Sequence, residues 1–166
     1  MLKLLPAKWS DYRRFVNLCC VSTLPFHGGR CWIVEGDIAF IGYNYCYRNN
    51  HQRNIIWPNH MLDSRYFDVE WLNKNVRCLN RVMVRPKCRG SGIATQLVQQ
   101  TLPLVGVPYI ECLTFAELIR NILLRCDFES YGSTKQETCR YYLWSRGPKT
   151  GSGDPHLSKT PYRCHL

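Results

Sequence analysis

Leu79-Asn80-Arg81-Val82-Met83-Val84-Arg85-Pro86-Lys87-Cys88-Arg89-Gly90-Ser91-Gly92-Ile93-Ala94-Thr95-Gln96-Leu97-Val98 is the stretch on which the fold turns. It reads as an apolar strand running into Pro86, a short basic loop with two glycines, and an amphipathic helix. Pro86 has no N–H and cannot continue a ladder as a central strand residue. Gly90 and Gly92 let backbone amides approach a ligand with no Cβ in the way. The helical period starts at Ile93, so the loop offers unpaired N–H groups at a helix N-terminus, a site suited to a pyrophosphate. Arg89 adds a fixed positive charge beside it. Two familiar phosphate loops, GxGxxG and GxxxxGK[ST], are absent.

Downstream, Ile93, Ala94, Leu97, Val98, Thr101 and Leu104 continue a helical stripe that Pro103, Gly106 and Pro108 close. Tyr109-Ile110-Glu111-Cys112-Leu113 follows as a strand, so strand, helix and strand read as a right-handed βαβ unit with a parallel pair. Thr114-Phe115-Ala116-Glu117 has the form of a capping box. Phe115, Leu118, Ile119, Ile122 and Leu123 then line one face of a helix that ends at Asp127-Phe128. Cys139 to Ser145 is a last, aromatic strand.

Upstream, Leu2 to Leu5 reads as a short strand. Ser10 is a plausible N-cap for a helix that buries Tyr12, Phe15, Val16, Cys19 and Cys20. His27 sits in a loop over residues 22–29. Arg30 to Val34 and Ile38 to Tyr47 read as an antiparallel hairpin about Gly36-Asp37. Gly42 inside the second strand marks a bulge or a close backbone approach. Tyr43, Tyr45 and Tyr47 share one face of that strand. Arg48 to His60 is the most polar stretch, read either as a surface loop or as a set of groups suited to a polar or nucleobase-bearing substrate. Leu62 to Leu72 reads as a short helix.

The run Arg89-x-x-Gly92-x-Ala94 after a Val-x-Pro strand end resembles the acyl-CoA motif [QR]-x-x-G-x-[GA] of the GNAT acetyltransferases. Leu79-Asn80-Arg81-Val82 and Tyr109-Ile110-Glu111-Cys112-Leu113 are similar to segments of the GNAT-like domains fused to archaeal ABC-type ATPases and of phage Mom-like proteins. The order of elements over roughly residues 2 to 145 matches that fold. The resemblance implies an α/β (α+β) domain over residues 1–146. Its sheet would be mixed, mostly antiparallel, six- to seven-stranded and splayed at a central parallel pair, with helices on both faces. Residues 147–166, rich in Gly, Pro, Ser and Lys, read as a flexible tail.

The resemblance also implies acetyl-CoA as cosubstrate. Val82, Met83 and Val84 would pair with its pantetheine arm, and Arg89, Gly90, Ser91, Gly92, Ile93, Ala94 and Thr95 would hold its pyrophosphate. The acyl carbonyl would meet backbone N–H groups of the same strand. Many relatives carry a tyrosine acid five residues before the final Phe and a glycine just before it; here those positions are Leu123 and Asp127. Many also carry an acidic residue at the position of Asn80. Glu111, a lone carboxylate in an apolar strand, is a candidate base whose pKa burial would raise. Its other reading is an ion pair with Arg81 or another arginine. Arg81 is a candidate for substrate binding or for that pair.

Composition bounds the rest. The chain has 166 residues, 45% of them apolar, with a formal charge of +10. One domain is expected, with anionic partners favoured: nucleic acid, an acidic protein or CoA itself. No stretch has the apolar length of a membrane span. The N-terminal run reads as too short for a signal peptide, so a cytoplasmic location is expected. Ten cysteines occur without a CxxC pair, which argues for buried thiols rather than a structural zinc site. Cys88, in the basic loop, is read either as an exposed loop residue or as an activated thiol. Three functions remain open: an N-acyltransferase using acetyl-CoA on an amine of a small molecule, protein or nucleic acid; a Mom-like enzyme that modifies a nucleobase or tRNA; and a CoA-binding module without catalysis.

Overall fold

The computed structural model describes residues 1–18, 29–63, 66–133 and 139–147. The hairpin about Gly36-Asp37 forms between β2 (Gly29–Val34) and β3 (Ala39–Asn44). Gly36 and Asp37 have φ values of 78° and 55°, the positive pair that a primed two-residue turn requires. β1 (Leu4–Ala7) pairs antiparallel with the outer edge of β2, two residues later than the sequence suggests. β4 (Val76–Val84) lies antiparallel to β3. β5 (Tyr109–Thr114) runs parallel to β4, and α3 (Ile93–Thr101) is the crossover between them. β7 (Arg140–Ser145) pairs antiparallel with β5, and β6 (Glu129–Ser133), a strand the sequence does not announce, closes the sheet beyond it. The seven strands take the order β1-β2-β3-β4-β5-β7-β6.

Both faces are covered, because neighbouring residues of the central strands are apolar on both sides. On one face, Leu97 and Val98 of α3 and Leu123 of α4 (Glu117–Arg125) pack with Trp32, Ile41, Tyr43 and Cys112. On the other, a 3-10 helix over Trp9–Leu18 brings Tyr12 and Phe15 onto Ile33, Phe40 and Met83. Beside it, α1 (His51–Ile56) and α2 (Val69–Asn75) seat Ile56, Trp57 and Leu72 against Val76, Tyr141 and Leu143. A Cβ at Gly42 would lie 2.4 Å from the Trp9 ring, so glycine there admits the indole.

Several expectations move. β3 stops at Asn44, whose partner Cys78 lies near the start of β4, so the tyrosines part company. Tyr43 is buried with its hydroxyl 2.7 Å from Thr101 Oγ1, whereas Tyr45 and Tyr47 are exposed. The expected helix over Leu62–Leu72 begins instead at Val69, where Asp68 Oδ1 accepts from the N–H groups of Glu70 and Trp71 at 2.9 and 3.0 Å. Thr114 Oγ1 accepts from Ala116 N–H at 3.1 Å, and α4 begins only at Glu117. The capping box therefore does not form, and Glu117 pairs with Arg120 instead. The later start leaves Phe115 and Leu118 exposed rather than on the buried face. Cys31, Cys112 and Cys126 are buried free thiols, and burial pushes the pKa of Cys31 up to about 11 and that of Cys112 up to about 12. Cys19, Cys20, His27, Cys164 and the expected tail beyond Gly147 lie outside the described residues. No helix among the described residues is long and apolar enough to cross a membrane.

The C-terminus of α4 shows why the residue before Phe128 is special. Phe128 N–H donates to Leu123 O at 3.1 Å, closing the helix with Asp127 at φ 64°. This is a left-handed closing position where glycine carries no Cβ penalty, and a carboxylate there also faces the negative end of the helix. Asp127→Gly is expected to stabilise the fold by about 1 kcal/mol, a rise in Tm of about 2–4 °C for a chain of this size. Thermal unfolding of the two proteins checks it.

Candidate functional site

β4 and β5 share only three parallel pairs: Val76 with Tyr109, Arg77 with Ile110, and Cys78 with Glu111. Beyond Cys78, β4 continues to Val84 with only β3 as a partner. Beyond Glu111, β5 continues through Cys112, Leu113 and Thr114 with only β7. A bulge accompanies the parting. Gly42 pairs with Arg81 and Tyr43 with Leu79, so Asn80 is the extra residue. A bulge bends its strand and increases the local twist, which carries β4 away from β5. The facing edges of the two strands thus turn polar backbone groups towards a gap, where a bound partner can satisfy them. Val82, Met83 and Val84 form the β4 side of that gap, with the Met83 side chain buried under the 3-10 helix.

The glycine loop stands at the open end of the fork. After β4, a 3-10 turn over Pro86–Cys88 is held by bonds from Cys88 N–H to Arg85 O at 2.9 Å and from Arg89 N–H to Pro86 O at 3.2 Å. Ser91 Oγ donates to Cys88 O at 2.7 Å. Gly90 and Gly92 have φ values of 82° and 79°, and a Cβ on either would meet no atom of the described residues within 4 Å. Internal packing therefore does not demand glycine here. The turn conformation does, and the space above the loop is open to a ligand. Gln96 N–H donates to Gly92 O at 3.1 Å as the first turn of α3 closes. The N–H groups of Ile93, Ala94 and Thr95 precede that bond and point out of the helix end, an anion site by geometry and by dipole. Arg89 Nε donates to Val84 O at 3.1 Å, which holds its charge beside the loop. The residues from Arg89 to Thr95 that the sequence assigns to a diphosphate thus form one continuous, outward-facing cradle.

A cavity of about 540 Å³ occupies the gap. Cys78, Leu79, Asn80 and Arg81 line it from β4, Leu113 from β5, and Tyr47, Asn49, Asn50, His51 and Gln52 from the segment after β3. That segment is fixed from below. Asn50 caps α1, its Oδ1 accepting from Gln52 and Arg53 N–H groups at 3.1 and 3.3 Å. Arg53, fully buried, donates from Nη1 and Nη2 to Tyr47 O at 2.7 and 2.5 Å, and from Nη1 to Arg48 O at 3.3 Å. Its Nε donates to Glu111 Oε2 at 3.1 Å. Tyr141 donates to the same oxygen at 2.8 Å. Burial, then the Glu111 charge, holds the Tyr141 hydroxyl and the Cys46 and Cys78 thiols well above their ordinary pKa values, so all three remain protonated around the carboxylate.

Sequence reasoning meets this geometry unevenly. Glu111 is an ion-paired carboxylate that is 2% exposed and is not among the residues lining the cavity. Its partner is Arg53, not Arg81. Arg81 lines the cavity, and its Nη1 donates to Asn80 O at 2.9 Å and to Asn80 Oδ1. Arg81 and Glu111 are thus separate, one in the cleft and the other under it, and of the readings open for Glu111 the geometry is that of an ion pair with another arginine. Leu123, at the position of the usual tyrosine acid, is fully buried in the main core. Cys88 is half-buried, its carbonyl engaged by Ser91. Arg53 escapes a sequence reading that treats Arg48–His60 as surface. The signal available is Asn50 as an N-cap ahead of Gln52, Arg53 and Ile56, which share a helix face. Among the described residues no cluster of His, Cys, Asp and Glu is placed to hold a metal ion.

The profile of the Acetyltransferase (GNAT) family matches residues 3–105. No curated protein matches the chain at a significant level. Among solved structures, an acetyltransferase from Thermus thermophilus superposes with a TM-score of 0.55 at 11% identity, covering 88% of this chain and 97% of that one. The aminoglycoside acetyltransferase AAC(6')-Ib in complex with coenzyme A gives a TM-score of 0.59 at 13% identity, with 88% and 95% covered. A variant of the spermidine N-acetyltransferase of Vibrio cholerae gives 0.56 at 12% identity, with 87% and 95% covered.

Removing one member of the buried pair leaves the other charged and desolvated, which costs about 3–5 kcal/mol. Glu111→Gln is therefore expected to lower the unfolding free energy by that amount in a urea titration. A loss under about 1 kcal/mol would mean that the pair does not hold the segment.

Proposed function

The chain belongs to the GNAT acetyltransferase family, and from that premise we propose that it transfers an acetyl group from acetyl-CoA to the amino group of an acceptor. The observation that carries this reading is the parting of β4 and β5 after their last shared rung at Cys78 and Glu111, in line with an open glycine loop. A diphosphate on the amides and charge of Arg89, Gly90, Ser91, Gly92, Ile93, Ala94 and Thr95 leads a pantetheine arm along Val82, Met83 and Val84 towards the bulge at Asn80. Acetyl-CoA supplies an activated acyl group: an N–C bond forms as the thioester C–S bond breaks, and the proton lost by the amine balances the one gained by the thiol. That the aminoglycoside enzyme was seen with coenzyme A supports the assignment of cosubstrate.

The acceptor enters from the side of Tyr47 to Gln52, and Arg81 orients it. His51 lines the cavity with an imidazole, whose unprotonated ring nitrogen can accept a proton from the amine, and we assign it the base. Glu111 acts through Arg53 as a positioning residue. Leucine at 123 offers no proton, so departure of sulfur depends on another lining group that carries one, the Tyr47 hydroxyl.

The test is thiol release from acetyl-CoA with a panel of amines, matched by the mass of the acetylated product, alongside calorimetric binding of acetyl-CoA. Gly92→Glu places a carboxylate in the open cradle and is expected to weaken acetyl-CoA binding by about 100-fold or more, roughly 2.7 kcal/mol. Binding at full strength with no turnover on any amine would make the chain a CoA-binding module. No binding would overturn the reading altogether.

A further inference from the structure

Beside the cavity, the chain that leaves β3 presents Tyr45, Tyr47 and Arg48 as exposed residues, with Cys46 half-buried between the tyrosines. Two arginines sit on exposed rings here. The guanidinium carbon of Arg77, near the start of β4, lies 4.2 Å from the Tyr45 ring centroid, and that of Arg48 lies 4.5 Å from the Tyr66 ring centroid. Tyr45 still keeps 46% of its surface open and Tyr66 43%. Three residues separate Tyr45 from Arg48, a Cα span of at most about 11 Å, so one short strand can reach both ring–arginine pairs. Tyr47, between them, also lines the cavity.

The strip is fixed in advance. Arg77 Nη1 donates to Asn73 O and Val76 O at 2.6 and 2.7 Å, and Arg48 Nε donates to Phe67 O at 3.4 Å. The buried Arg53 holds the carbonyls of Tyr47 and Arg48 from below. A surface ordered before it binds loses little conformational entropy on binding. Each guanidinium has five N–H donors, more than these bonds use.

Open rings paired with guanidinium groups fit one kind of partner. Unpaired bases stack on aromatic faces, and the phosphates beside them take charge-assisted bonds from arginine. A duplex keeps its base faces covered, and an acidic peptide would use the arginines but gain no base stacking from the rings. The formal charge of +10 draws such a polyanion to the chain. We propose that this strip binds single-stranded nucleic acid, with bases on Tyr45 and Tyr66 and phosphates at Arg48 and Arg77. The surface is separate from the glycine loop, and its binding does not depend on the acyl-transfer reading.

Fluorescence anisotropy of the full chain with a labelled single-stranded oligonucleotide of mixed sequence, made as RNA and as DNA, tests this. The same sequence as a duplex and a polyglutamate of equal charge are the comparisons. At least one of the two single strands is expected to bind about tenfold or more tighter than either comparison, and the difference between RNA and DNA identifies which is read. Tyr45→Leu and Tyr66→Leu are each expected to weaken that binding by about tenfold with its salt dependence unchanged. Arg48→Gln and Arg77→Gln are each expected to reduce the slope of log affinity against log salt by about 0.7. Tyr45→Phe keeps the ring and is expected to bind as the unaltered chain does, which separates stacking from damage to the fold. Binding of duplex or polyglutamate as tight as that of the single strands would overturn the inference. So would affinity unchanged in both leucine variants, or no binding of either strand at low salt.

Discussion

Two parallel strands that pair for three rungs and then separate set the terms for this molecule. A parallel pair inside a sheet normally continues, because every unpaired backbone group away from water is costly. Here the separation is built in from both sides. The extra residue at Asn80 swings β4 outward, and β7 engages β5 along its whole length. At the base of the fork sits Arg53, fully buried, with Glu111 of the last rung and the carbonyls of Tyr47 and Arg48 around it. A buried ion pair adds little net stability over a well-packed apolar substitute. What this one supplies is placement, because it ties the segment lining one wall of the cavity to the strand at its base.

Chemistry made by the main chain is the most legible part of the sequence. Glycines at 90 and 92 ahead of a helical period, with Pro86 before them, leave little choice but an exposed cradle of amides. Gly36-Asp37 between two apolar runs leaves little choice but a hairpin. Side-chain chemistry is less legible, since it depends on which distant residues meet. Glu111 is visible as an intruder in an apolar strand, yet Arg53 lies in a six-residue helix whose polar composition reads as surface. The α4 boundary fails for a local reason: Thr114 takes the amide two residues on, an alternative that threonine offers as readily as a helix cap. Phe115 and Leu118 then turn outward, although their spacing suits a buried stripe.

The same division explains how the fold survives at 11–13% identity to solved relatives. The amide cradle and the fork need little more than backbone conformation, and many sequences supply it. The departures fall on side chains. Leu123 stands in the core where a tyrosine acid is usual, and Asp127 holds a left-handed conformation that glycine would hold with less strain. Family membership therefore speaks to the cosubstrate side of the site. The cavity walls from Tyr47 to Gln52 and at Asn80 and Arg81 are side-chain surfaces, about which family membership says less.

The central claim is that backbone amides at the fork and at the start of α3 receive acetyl-CoA. Amide hydrogen exchange with and without acetyl-CoA measures those groups directly. Slower exchange concentrated over Val82–Val84 and Gly90–Thr95 is the result expected. Unchanged exchange in both stretches at saturating acetyl-CoA, or protection confined to another part of the sheet, would contradict it.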